Sequence, residues 1–218
     1  MELESFPDLA ARPRAPLDLL ALALATQFRD VDTDEARSRL DALGAEVRAA
    51  VRRGSPADEL EGCRRVLGER HGYRGARKDY GHPDQSMLDL VLARRRGLPI
   101  LLSVVWVEVA RRAGCTLSGI GLPGHYVVGH FGADPPLVVD PFARGARIEE
   151  RLPSALVRPW GNQETILRLL NNLVGSYTLR GDLGRAIRAA EMRLLLPVDS
   201  GDRETLDTEL GGLRARLN

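Results

Sequence analysis

Residues 97–141 decide the fold, and they read GLPILLSVVWVEVARRAGCTLSGIGLPGHYVVGHFGADPPLVVDP. From residue 99 to residue 113 the segment is apolar on nearly every side, which is typical of a helix in the middle of a core. The period then changes to that of strands, at residues 116–121, 125–131 and 137–140. Turn residues separate these strands, and the last two predict a hairpin. The segment predicts an α+β fold in which a buried helix packs against an antiparallel sheet.

Helical patterns flank this core on both sides. Three helices are predicted between residues 16 and 71, and a polar loop, YRGARKDYGHPDQ, follows them. The region 162–196 has the spacing of one tetratricopeptide-like helix pair, which cannot bury its own apolar face and should pack on the core. The predicted parts of the chain are an N-terminal arm at 1–15, helices and core at 16–160, a tetratricopeptide-like segment at 161–198 and a polar tail helix at 199–218.

Composition and charge exclude several classes of protein. The chain has 218 residues, 44% of them hydrophobic, and its 31 Lys and Arg against 30 Asp and Glu give a net charge of +1. Such a chain is expected to be globular rather than disordered, and it lacks the basic balance of a dedicated nucleic-acid binder. Its apolar runs fall short of the roughly 18 residues that a transmembrane helix needs. We therefore expect no nucleic-acid partner and no membrane partner.

The cysteines and histidines indicate neither a metal nor a cofactor. Cys63 and Cys115 lie far apart without a CxxC motif, which is typical of free, reduced thiols. The four histidines have no metal-ligand spacing. The apolar run at 17–25 follows several acidic residues, so it favours a core helix over a secretory signal. The sequence predicts a cytoplasmic protein without a metal site or a cofactor.

A histidine and an aspartate are the candidate catalytic pair. His125 stands early in one predicted strand and Asp140 ends its neighbour, 15 residues later. The hairpin between them brings both side chains to the same edge of the sheet. Adjacent antiparallel strands can hold an imidazole beside a carboxylate that orients it for proton transfer. Taken by itself, such a pair is also common as a purely structural contact.

Four stretches of the chain carry a family resemblance. They are HGYRGARKDYGHPDQSMLDLVLARRRGLPILLSVVWVEVARRAGC, GIGLPGHYVVGH, VVDPFARG and ILRLLNNL. Together they resemble the bacterial SirB-type transglutaminase-like proteins over roughly residues 15–198. The resemblance implies a papain-related core with helices before it and a tetratricopeptide-like tail after it. In that core a cysteine at the start of the buried helix attacks an amide carbonyl, while the positions of His125 and Asp140 carry the general base and its orienting acid.

The nucleophile of that constellation is missing. In cysteine-bearing relatives the cysteine stands two residues after a glycine that precedes the buried helix, and here the matching residue is Pro99. Cys115 follows the other end of the same helix, about 24 Å away at 1.5 Å per residue. Ser103 lies one turn into the helix on about the right face, so it is a candidate hydroxyl nucleophile. A serine on a buried helix also bonds back to a carbonyl, which is the structural alternative.

These observations leave three functional hypotheses. The leading one is a degenerate, non-catalytic member of the family that binds an unidentified protein or small molecule in the former catalytic cleft. The second is an amide hydrolase or acyltransferase that uses His125 and Asp140 with Ser103 or an activated water. The third is a scaffold that acts through its helical tail. The predicted ligand-binding residues are Tyr80, Asp84, Arg96, Pro99 and Tyr126.

Overall fold

The elements of the chain follow the predicted order of helices, core and helices. The structure, a computed structural model, describes residues 3–52, 54–150 and 152–217. Its α-helices are α1 Phe6–Ala10, α2 Leu17–Thr26, α3 Thr33–Ala50, α4 Pro56–Cys63, α5 Leu88–Arg94, α6 Pro99–Ala113, α7 Asn162–Leu179, α8 Leu183–Arg193 and α9 Ser200–Ala215. Its strands are β1 Arg74–Gly75, β2 Arg96–Gly97, β3 Ser118–Leu122, β4 His125–His130, β5 Leu137–Asp140 and β6 Ala146–Arg147.

Helix α6 is the centre of the core. Pro99 occupies its first turn, where the missing N–H leaves no hydrogen bond unmade, and Gly114 ends it in a left-handed conformation. Val105 and Trp106 are fully buried. The helix packs on an antiparallel sheet of order β3-β4-β5-β6. The predicted α+β fold, with a buried helix against an antiparallel sheet, is confirmed.

A buried ionic cluster ties the N-terminal helices to α6. Arg112 of α6 pairs with Glu108 one turn earlier (2.8 Å), with Asp41 of α3 (2.6 Å) and with Asp18 of α2. The side chains of Asp18 and Glu108 are each only 3% exposed. Burial, together with the nearby charge of Asp18, raises the pKa of Glu108. Removing the guanidinium would leave buried carboxylates short of a counter-charge, which is costly.

The two ends of the chain also pack on this core. Residues 1 and 2 of the predicted arm lie outside the described residues, and the remainder includes α1, whose Phe6 and Leu9 are buried. Helices α7 and α8 form a packed pair joined by a turn at Gly181, and α9 packs on α8. Asn218 of the predicted tail helix lies outside the described residues. In the described ranges, none of the helices has the length and apolarity that crossing a bilayer requires.

Candidate active-site cleft

The structure brings His125 and Asp140 together at one edge of the sheet. His125 is the first residue of β4, directly after a turn in which Gly124 has a φ of +70°. Asp140 is the last residue of β5. The Nε2 atom of His125 lies 3.1 Å from Oδ2 of Asp140, and the two side chains are 33% and 19% exposed. The pair is thus within hydrogen-bonding distance and still accessible to a ligand.

Asp140 is held in place by the turn that follows it. Its Oδ1 atom accepts a hydrogen bond from the N–H of Phe142 (2.8 Å), and its carbonyl accepts one from the N–H of Gly145 (2.7 Å). Gly145 has a φ of +78°, and a β-carbon there would collide with the Trp106 ring. The Phe142 ring also meets the imidazole of His125 edge to face, with 6.1 Å between ring centroids. Both members of the pair are therefore fixed by packing.

The pairing leaves one imidazole nitrogen unused. Because Asp140 contacts Nε2, a neutral His125 ring is expected to carry its proton there and to present Nδ1 as an acceptor. Nδ1 has no hydrogen-bond partner among the residues that the structure describes. A histidine oriented in this way is competent to accept a proton from a nucleophile or a ligand.

His125 lines a cleft of about 380 Å³, which we call the dyad cleft. Pro99, at the start of α6, lines the same cleft, and Tyr80 stands at its mouth with 46% of its surface exposed. The start of α6 therefore presents the ring of a proline to the dyad cleft. Ser176 of α7 also lines the cleft, so it supplies a hydroxyl that the sequence patterns did not single out.

The two cysteines lie elsewhere. Both are buried and free, and neither lines the dyad cleft. Burial raises the pKa of the Cys63 thiol above its ordinary value and that of Cys115 to about 11. A nucleophilic thiol needs the opposite shift, since the thiolate is the reactive form. Across the described ranges, no three His, Cys, Asp or Glu side chains come close enough to share a metal ion.

The structure does not bring Ser103, the candidate hydroxyl nucleophile, to the dyad cleft. Ser103 is fully buried, and its hydroxyl donates a long hydrogen bond (3.5 Å) to the carbonyl of Tyr126. It lines a separate small cavity of about 70 Å³ rather than the dyad cleft. The structural alternative, a serine that satisfies a carbonyl, describes this residue.

Tyr126 lines the dyad cleft, but its hydroxyl is engaged elsewhere. It lines the cleft but is only 2% exposed. Its hydroxyl forms a hydrogen bond of 2.8 Å with the hydroxyl of Thr165 in α7. Its ring packs edge to face on Trp160, with 5.6 Å between centroids. Burial raises the pKa of Tyr126 to about 12. The phenol is therefore a packing group between the sheet and α7.

Two predicted ligand-binding residues do not line the dyad cleft. The carboxylate of Asp84 accepts a hydrogen bond from Arg94 (2.9 Å) and faces His82 at 3.5 Å. Arg96 lies on β2 and lines a second cleft together with other arginines. The physical reason is local: Asp84 is engaged by Arg94, and the pairing of β2 with β1 places Arg96 in the second cleft.

The sequence patterns missed the part that α7 plays. Arg168 donates hydrogen bonds to the carbonyl oxygens of Leu122 (2.8 Å) and His125 (2.9 Å), and its guanidinium lies over the Tyr126 ring at 5.7 Å. These contacts fix the turn from which His125 projects. The motif ILRLLNNL predicts a helix there, but only the tertiary structure shows that its arginine reaches a turn more than forty residues earlier.

Comparison with known proteins gives this architecture a family. Residues 34–176 match the family model described as the transglutaminase-like superfamily. A UPF0162 protein of Xylella fastidiosa strain Temecula1 is 31% identical over 73% of this chain and 65% of its own length, so the chain spans just under two thirds of that relative. A UPF0162 protein of Pseudomonas aeruginosa is 27% identical over 90% of this chain and 77% of its own length.

A further protein matches over a short segment, and no solved structure matches the chain. A segment of 69 residues is 32% identical to F-box only protein 21 of Mus musculus, covering 32% of this chain and 11% of that protein. The family match extends from α3 to α7, so it includes the buried helix, the sheet and the histidine–aspartate pair. This chain therefore belongs to the transglutaminase-like superfamily.

Proposed function

We propose that this protein is a non-catalytic member of its superfamily that binds a small molecule or a protein segment in the dyad cleft. The observation that carries the proposal is the position of Pro99, which begins α6 and lines the same cleft as His125. A proline ring has no group that attacks a carbonyl. In a well-studied protease, loss of the nucleophile alone lowers turnover by about 10⁶.

The dyad cleft has the features of a binding site. Its volume of about 380 Å³ falls in the range of small-molecule sites, which are typically about 300–1,000 Å³. Its lining includes the apolar residues Leu98 and Ile100 and the polar residues His125 and Asn172. Leu179 lines the cleft and is 87% exposed, so its side chain is available for contact with an apolar group of a ligand. This combination supports recognition of a ligand with an apolar body and a few polar groups.

The test is a binding screen with variants at the mouth of the cleft. Purified protein is incubated with a soluble bacterial metabolite extract, and retained compounds are identified by mass spectrometry after gel filtration. Leu179→Ala and Tyr80→Ala should weaken binding of a retained compound by about tenfold, as expected for an anchor that buries apolar surface. Leu195→Ala is the matched control, because Leu195 is 45% exposed and does not line the cleft.

Two results would contradict the proposal. One is a retained compound whose affinity is unchanged in both cleft variants but reduced in Leu195→Ala. The other is turnover of an amide substrate by the unmodified protein, since a non-catalytic cleft leaves its ligand intact.

An amide hydrolase or acyltransferase is the second candidate, and the intact His125–Asp140 contact favours it. With Nδ1 of His125 unpaired in the described part of the chain, the pair could activate a water or the hydroxyl of Ser176. Treatment with a fluorophosphonate probe and with an amine donor distinguishes the two candidates. We expect no labelling. Labelling that disappears in both His125→Ala and Ser176→Ala would establish the catalytic alternative and overturn the first.

A further inference from the structure

A second cleft lies beside the dyad cleft, and its lining is strongly basic. It has a volume of about 790 Å³, and no carboxylate contributes to its walls. Its cationic residues, which we call the basic cluster, are Arg74, Arg77, Lys78, Arg94, Arg96 and Arg144. Since the whole chain carries a net charge of only +1, six cations around one cleft are a local concentration rather than a reflection of composition.

Most of this charge is not neutralised by the protein. Arg94 forms an ion pair with Asp84 at 2.9 Å. Arg74 and Arg96 both donate to the carbonyl of Gly72, over long distances of 3.5 and 3.4 Å, and Arg96 also donates to the carbonyl of Arg95 at 3.5 Å. Both acceptors are neutral carbonyls and only one nitrogen of each guanidinium is used, so most of the donors of the two arginines remain free.

In the part of the chain that the structure describes, the other three members of the basic cluster have no carboxylate partner. Arg77, Lys78 and Arg144 form no salt bridge with any residue in the described ranges. Five of the six cations in the cleft are therefore without a carboxylate partner there. Positive charge gathered around one concave surface focuses the electrostatic field and attracts an anion.

The backbone brings these like charges together at an energetic cost. Strands β1 and β2 pair in parallel, and their register sets Arg74 directly beside Arg96. Like charges on paired strand positions repel each other and destabilise the pairing. Arg144 has a φ of +59°, a left-handed conformation that a non-glycine residue rarely adopts. Strained residues of this kind concentrate at ligand clamps, and a bound anion would offset the repulsion.

We propose that the basic cluster binds the phosphate groups of a small molecule, with a diphosphate or a longer polyphosphate as the chemical class. Arginine is the side chain that best matches phosphate oxygens, because its planar fork donates two parallel hydrogen bonds. The cleft volume suits a ligand of that size.

The basic cleft adjoins the dyad cleft through one aromatic residue. Phe142 lines the basic cleft, and its ring contacts both Tyr80 and His125 of the dyad cleft, each with 6.1 Å between centroids. An anion held by the basic cluster would therefore sit next to the dyad cleft. The proposal does not depend on whether His125 is catalytic.

Calorimetric titration with sodium pyrophosphate tests the site. Arg96→Gln and Arg144→Asn should each weaken pyrophosphate binding by about tenfold, the effect of one charge-assisted hydrogen bond. Asparagine is chosen at residue 144 because it tolerates positive φ. Arg203→Gln is the matched control, since Arg203 is an exposed arginine of α9 outside the basic cleft. Binding should also weaken as salt is raised, because exposed charges are screened.

The chain's single lysine allows a second test on the unmodified protein. Acylation of Lys78 by an amine-reactive reagent, followed by mass spectrometry, should slow severalfold when pyrophosphate is present, with the α-amino group as internal control. Failure of pyrophosphate to bind, equal weakening in Arg203→Gln, or no protection of Lys78 would overturn the proposal. So would tight binding of a single-stranded oligonucleotide without binding of pyrophosphate. None of these results bears on the dyad cleft, which is tested at Tyr80 and Leu179.

Discussion

Replacing Pro99 by cysteine is the sharpest test of how the cleft is built. The residue begins a helix of 15 residues and lines the same cleft as His125. The N–H that the substitution restores is one of the four that every helix start leaves unpaired, so the helix should tolerate it. The introduced thiol would meet the positive end of the helix dipole and an imidazole held by Asp140. Both effects stabilise a thiolate.

The expected shift is large enough to measure. Thiols at helix N-termini or beside a protonated histidine have pKa values of about 3.5–7.5, against about 8.5 for a free cysteine. At pH 7 a thiol with a pKa of about 7.5 is about 24% ionised, compared with about 3% at 8.5, an eightfold difference. The lower basicity reduces intrinsic nucleophilicity by about threefold per pKa unit, so the net gain in rate is only about threefold. The midpoint of the pH profile is therefore a better measure than the rate itself.

The assay is alkylation by iodoacetamide between pH 5 and pH 10, followed at residue 99 by peptide mass spectrometry. The native thiols should contribute little, because Cys63 and Cys115 are buried and their pKa values are raised. A midpoint at or below about pH 7.5 is expected, and His125→Ala in the same background should move it upward. A midpoint near 8.5 in both proteins would mean that residue 99 does not face His125, and the assignment of the missing nucleophile would be wrong.

Three further predictions concern stability and the pair. Arg112→Met should lower the free energy of unfolding, measured in urea, by about 3–5 kcal/mol, because it removes the cation that pairs with buried carboxylates. Arg111→Met should lower the free energy of unfolding far less, because the Arg111 side chain is 56% exposed. Hydrogen bonds from His71 and Arg70 lower the pKa of Glu46 below 4.5, so Glu46→Gln should lower the free energy of unfolding at pH 7. The difference in free energy of unfolding between the two proteins should disappear as the pH falls below 4.5, because Glu46 then becomes protonated. If the cleft only binds a ligand, Asp140→Asn should change the ligand affinity by no more than about twofold. If His125 and Asp140 are a catalytic pair, the same substitution should abolish turnover. Ligand affinity and amide cleavage, measured on the same preparations, distinguish these outcomes.

The core was predictable because its signals are local and strong. An apolar run followed by period-two segments allows few arrangements, since a helix without a polar face must be covered on all sides. The prediction of a helix over 99–113 agrees with the bounds of α6. The contact between His125 and Asp140 followed from the same pattern, because the hairpin that joins their strands determines which residues share an edge.

The surroundings of that pair were not predictable in the same way. Ser103 stands at a helical spacing that fits a nucleophile, but its orientation depends on a carbonyl of β4 that only the folded sheet places there. Arg168 acts on a turn more than forty residues earlier, and no local pattern encodes that distance. The basic cluster likewise combines residues from the polar loop, the end of α5, β2 and the segment after β5. Contacts of this kind arise from tertiary packing and not from periodicity.

The His125–Asp140 contact also has a structural role that does not depend on catalysis. Each carboxylate oxygen of Asp140 has its own partner: Oδ2 faces the imidazole, while Oδ1 accepts from the N–H of Phe142 and so begins the turn after β5. His125 in turn packs edge-on against the Phe142 ring. Both residues therefore contribute to the fold at the sheet edge, whatever they contribute to chemistry. The contact between the two side chains is consequently weak support for catalysis, and the proline at the start of α6 carries more weight in the choice between a binding cleft and an enzyme.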